Sequence, residues 1–170
     1  MTVLKNICML LGSTNSRQQN GNEEALIIQL MTQKRYAEAY ILLKNESPGE
    51  PSTQYNLALC HYSAGNYQEA LICLDNALRA LSPGNYPGKA PADQFYHVIR
   101  QMQNQTNDHL EGITKKYVTL FRDLVLDHVI RLQTDCWLKS GNFPKVVETA
   151  KPLERKNYKN ITEALQLATK

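Results

Sequence analysis

The chain has 170 residues, 42% hydrophobic and 21% charged, with a formal net charge of +3. That length can bury a real core and that composition excludes wholesale disorder, while the charge is too small to point to a nucleic-acid partner. No apolar run reaches the roughly 18 residues needed to cross a bilayer, so a soluble protein with no membrane partner is expected.

Residues 1–19 read as an N-terminal helix and polar linker. Ile7 to Leu11 follow Lys5 like a short signal core, but Gly12 to Asn22 offer no convincing cleavage site. From residue 20 to 170 the pattern is one of helix pairs. The first spans about 20–50, with Leu26, Ile27, Leu30, Tyr36, Ala39 and Leu43 at helical spacing. The clearest pair covers 51–84: Leu57, Ala58 and His61 share one helix face, Gly65 supplies a turn, and Tyr67, Ala70, Leu74 and Ala77 line the facing helix. Small residues at 58, 70 and 77 allow two backbones to approach closely. SPGNYPGKAP, residues 82–91, cannot continue a helix and reads as an enlarged loop.

A degenerate pair is expected over 92–126, with Val98, Ile99 and Met102 in its first helix and Leu110, Ile113, Tyr117, Leu120, Phe121 and Leu124 in its second. No proline or glycine lies between Ile113 and Ser140, so that second helix can run on into the next. A late pair covers 127–157, where Trp137, Gly141, Phe143 and Val146 repeat the offsets of His61, Gly65, Tyr67 and Ala70. Ile161, Ala164, Leu165 and Ala168 then form the stripe of a capping helix over 160–170, for which Asn160 and Glu163 suggest a reciprocal N-cap.

Leu57, Ala58, Gly65, Tyr67, Ala70, Ala77 and Pro83 together resemble a tetratricopeptide repeat, with Gln54 at the usual large aromatic position and His61 where tyrosine is common. RYAEA in the first pair and SGNF in the late pair echo NYQEA and AGNY, and starts at 20, 51, 92 and 127 scatter about the family period of roughly 34 residues. The resemblance implies an all-α fold: a right-handed superhelical stack of antiparallel helix pairs with a C-terminal cap. It also implies a non-catalytic scaffold for protein binding.

Chemistry is not legible. GNYPGK, ending at Lys89, misses phosphate-loop spacing and has Ala90 in place of the magnesium-binding hydroxyl. Cys60 and His61 are helix neighbours pointing about 100° apart, and His97, His109 and His128 share no metal-ligand spacing. Cys8, Cys60, Cys73 and Cys136 are unpaired in pattern and read as buried reduced thiols, which favours a cytoplasmic setting. No catalytic residues, metal or cofactor are expected. The three Asn-X-Ser/Thr matches at Asn45, Asn104 and Asn160 read as chance. From Lys139 onward seven basic residues face three glutamates, a mild bias read as a solvated helix face.

By resemblance, the first helix of each pair lines a concave groove for a protein or peptide partner. The register puts Glu24, Ile28 and Met31 there from the first copy, Tyr55, Leu59 and Tyr62 from the second, Tyr96 and Arg100 from the degenerate copy, and His128, Arg131, Asp135 and Lys139 from the last. This mix suits an extended peptide, although each residue can equally belong to the core. A chaperone-tail clamp is disfavoured: Asn56 matches its asparagine, but Glu24 and Ile28 stand where lysine and asparagine are needed. A secretion-type chaperone and a structural subunit of a larger assembly are the alternatives.

Overall fold

The computed structural model describes residues 15–81 and 93–170, with side chains from Gly21 onward. The proposed packed segment before residue 15, Cys8 and the loop at 82–91 lie outside the described residues. Among the described residues every regular element is helical. In chain order the α-helices are α1 (Asn15–Thr32), α2 (Tyr36–Leu43), α3 (Pro51–Ser63), α4 (Tyr67–Ala80), α5 (Gln94–Gln103), α6 (Lys115–Leu120), α7 (Arg122–Lys139), α8 (Phe143–Ala150) and α9 (Lys159–Ala168), with short 3-10 helices at Asp108–Leu110 and Lys151–Lys156. α1 starts inside the stretch read as polar linker.

Three helix pairs, α1/α2, α3/α4 and α7/α8, turn in the same way. The second and third turns place Gly65 and Gly141 at φ 75° and 73°, and the equivalent residue of the first is Lys34 at φ 59°. In each turn the next amide reaches back over the helix end: Arg35 N to Leu30 O at 2.8 Å, Asn66 N to His61 O at 2.9 Å, Asn142 N to Trp137 O at 3.0 Å. This closure satisfies carbonyls the helix would leave orphaned and requires one left-handed residue. Glycine adopts that conformation freely; lysine does so at a cost.

The pairs are glued by small and branched side chains. Ala58, Ala70, Leu74 and Ala77 are fully buried between α3 and α4, and Val125, Val129, Leu132 and Cys136 of α7 join the same core. α4 packs directly on α7. The pair at 51–81 is therefore followed in space by the pair at 122–150, and the segment between them is an excursion. α9, with Ile161 and Ala164 buried, closes the stack against α7 and α8.

That excursion corrects the expected degenerate pair over 92–126. Asp93 caps α5 by accepting from Tyr96 N at 2.7 Å, but α5 buries none of its residues. Val98, Ile99 and Met102, expected as core, are 49%, 39% and 70% exposed. A single turn of 3-10 helix at Asp108–Leu110 and an extended stretch replace the second helix. The chain then re-enters a helix at α6, where Thr114 accepts from Tyr117 N at 3.0 Å. α6 and α7 are separated by one non-helical residue, Phe121, at φ −130° and ψ 42°. The bend needs neither proline nor glycine: it lets α6 stay against α3 while α7 turns onto α4.

Candidate functional site

The first helices α1, α3 and α7 are bridged by a segment of the chain itself. Residues 104–115 cross the first helices one after another, starting at the capping end and finishing at α1. Asn104 Nδ2 donates to Lys156 O at 2.8 Å and Gln105 Nε2 to Asn157 O at 2.8 Å, tying the start of the segment to the turn before α9. Arg131 of α7 then takes hold: Nη2 donates to Thr106 O at 2.8 Å and Nη1 to Asp108 Oδ1. His109 Nε2 lies 2.7 Å from Asp135 Oδ2, and Tyr55 of α3 donates its hydroxyl to His109 O.

Further along, Asn56 reads the backbone of Ile113 at both ends. Its Nδ2 donates to Ile113 O and its Oδ1 accepts from Ile113 N, each at 2.9 Å. The segment passes α1 at Gly112, where an added Cβ would sit 2.9 Å from Met31 Sδ and 3.1 Å from Ile28 Cδ1. A side chain at this position would require the ends of the Met31 and Ile28 side chains to shift. Glu24 Oε1 accepts from Lys115 N at 2.7 Å, and Lys115 Nζ reaches Glu46 Oε2 at 2.7 Å.

The residues that the register assigns to the groove are thus brought together, but mostly under this segment. Met31, Tyr55, Leu59, His128 and Arg131 are buried, and Glu24, Ile28, Tyr62 and Asp135 are partly so. Tyr62 packs against Tyr67 with ring centroids 5.6 Å apart. Tyr96 and Arg100 line a separate cavity described below, and only Lys139 is fully on the surface. Arg131 also donates from Nε to Asn160 Oδ1 at 2.8 Å and sits 4.4 Å above the Tyr158 ring. Asn160, expected as an N-cap, is instead buried within the first turn of α9, where Tyr158 holds the cap position without a side-chain bond. Its Nδ2 donates to Asp135 Oδ1 at 2.9 Å. A buried arginine supplies five donors and needs partners of this kind, so the asparagine has been drawn inward.

Electrostatics follow the burial. Burial alone would raise the Asp108 carboxyl, but His128 and Arg131 outweigh it and hold the group well below the usual carboxylate range. Burial lowers His109 despite the Asp135 carboxylate beside it. Cys60 and Cys136 are pushed up to about 12 by burial, so these free thiols are poor nucleophiles.

Two signals for the occupied groove were present in the sequence: Asn56, which the clamp comparison singles out, and Gly112. Neither names its contact. Residues 51–81 match the model of the tetratricopeptide repeat family. Those residues form a tetratricopeptide repeat. The match covers α3 and α4, and the turn geometry above extends the same design to α1/α2 and α7/α8. No curated protein and no solved structure matches the chain. Among the described residues no helix is long and apolar enough to cross a membrane, and no group of three or more His, Cys, Asp or Glu is placed to hold a metal ion.

Proposed function

We propose that this chain is a non-catalytic protein-interaction scaffold that meets its partner on the face presented by α5, the inner groove being engaged by residues 104–115. The observation that carries this is the stripe Phe95, Val98, Ile99 and Met102. These residues recur at i, i+3, i+4 and i+7, the spacing of an apolar helix face, yet Phe95 is 74% and Met102 70% exposed. Such a stripe is what a helix normally buries, and a protein partner offering an apolar face of its own would cover it. The groove remains a peptide site only for a ligand that displaces the internal segment, since Tyr55, Asn56 and Arg131 already spend their polar groups on it.

Affinity capture followed by mass spectrometry tests the reading. The double variant Phe95→Ser/Met102→Ser should lose the partner with helical content unchanged. Undiminished capture by that variant would refute the α5 face. Stronger capture by Asn56→Ala would instead favour a partner peptide that exchanges with the internal segment.

A further inference from the structure

The excursion borders an open cavity of about 440 Å³ between α5, the crossing segment, α6 and α7. That volume lies in the range of small-molecule sites, roughly 300 to 1,000 Å³. Its walls carry flat apolar surface from Tyr96, Tyr117 and Phe121, with Ile113 and Leu124 beside them. Arg100, Gln103, Asp108, Glu111, Thr114 and His128 supply the polar lining, and of these Arg100 and His128 do not have all their nitrogens satisfied. His128 is 3% exposed and neither ring nitrogen has a hydrogen-bond partner. Its Nε2 is 3.6 Å from Asp108 Oδ2, too far for a bond, and its ring stacks on Tyr117 with centroids 6.1 Å apart. The Arg100 Nε is likewise buried without a partner, although Nη2 donates to the Tyr158 hydroxyl at 3.2 Å and Nη1 to Gln103 Oε1 at 3.3 Å.

The charged residues lining the cavity are Arg100, Asp108 and Glu111. Asp108 gives its Oδ1 to Arg131, which leaves Arg100 3.7 Å from the other oxygen, and the remaining acid, Glu111, stands exposed at the rim. Buried donors without acceptors are costly, and a guanidinium is best satisfied by an anionic oxygen. We propose that this cavity binds a small aromatic carboxylate. The ring lies among Tyr96, Tyr117 and Phe121, and the carboxylate accepts from Arg100 Nε and from the His128 imidazole. The site is independent of the α5 stripe, which faces solvent.

Calorimetric titration of the full chain with phenylacetate and indole-3-acetate tests the assignment, against phenylacetamide, which lacks the charge, and acetate, which lacks the ring. Both aromatic acids should bind saturably, and both controls should bind at least about tenfold more weakly. Arg100→Gln should weaken the acids by a similar factor. Because Arg100 also touches Tyr158, Leu124→Phe provides a second variant that fills the cavity without removing a polar group, and it too should abolish binding while the unfolding midpoint is retained. No saturable heat from either acid, equal binding of the amide, or binding unchanged in both variants would overturn the proposal. So would binding of a peptide ending in phenylalanine when neither free acid binds, which would assign the cavity to a protein terminus.

Discussion

The helix pair α3/α4 and the excursion from α5 to α6 both carry apolar residues at helical spacing, yet they stabilise the molecule in opposite ways. In α3/α4 the apolar positions meet across a close interface and disappear from solvent: Ala58, Ala70, Leu74 and Ala77 are each 0% exposed. In the excursion Phe95, Val98, Ile99 and Met102 of α5 stay outside, and besides the buried Ile113 what holds the segment down is polar. Asn56, Tyr55, Arg131 and Glu24 bond to its backbone amides and carbonyls or to Asp108. Hydrophobic burial is tolerant of small misfit, whereas a buried polar network is costly once any member loses its partner.

The comparison is most easily broken at Arg131. Arg131→Ala removes the donors to Asp108 Oδ1, Asn160 Oδ1 and Thr106 O, and removing one member of a buried pair should cost about 3 to 5 kcal/mol in urea unfolding. A change below about 1 kcal/mol would show that the crossing segment is only loosely held. Within the helix pair, Ala70→Trp should overpack the α3/α4 contact and cost roughly 1 to 3 kcal/mol, while Gln68→Trp on the exposed side of α4 should leave the midpoint unchanged.

Acid separates the two regions further. Because the Asp108 carboxyl is held below its unfolded value, the folded state binds fewer protons, so its contribution is complete above about pH 5 and is lost progressively as pH falls below that. The unfolding midpoint should drop on acidification from about pH 5 towards pH 2, and Asp108→Asn should flatten that drop. Equal slopes for the two proteins would detach Asp108 from the network.

Smaller effects are expected where a backbone or a surface is altered without touching a bond. Lys34→Gly relieves the left-handed strain that Gly65 and Gly141 avoid at the same turn, and should raise stability by about 1 kcal/mol. Phe95→Ser on α5 should shift stability by less than about 0.5 kcal/mol, as for an ordinary surface substitution. A large loss there would mean that the stripe is covered by the protein itself.

The repeating pairs were readable from residues alone. Alternation of small and large side chains at helical spacing, with Gly65 and Gly141 at one offset, is local information, and local geometry uses it directly. Lys34 shows that the register carries further than the glycine, because the turn's hydrogen bonds impose the left-handed conformation on whichever residue occupies it. The groove residues were likewise assigned by offset, and of these Glu24, Tyr55 and Arg131 bond to the segment at 104–115.

What the sequence could not decide was what covers that face. The residues from 92 to 126 contain enough periodic apolar positions to imitate another repeat. Tertiary structure instead paired α4 directly with α7 and drew the intervening chain across α7, α3 and α1. That choice depends on contacts between residues far apart in the chain, Asn56 with Ile113, Glu24 with Lys115 and Arg131 with Asp108, whose polar groups are each unremarkable in isolation. Helical periodicity specifies which face of an element is apolar; only the assembled stack determines whether a neighbouring helix, the chain's own backbone or solvent meets it.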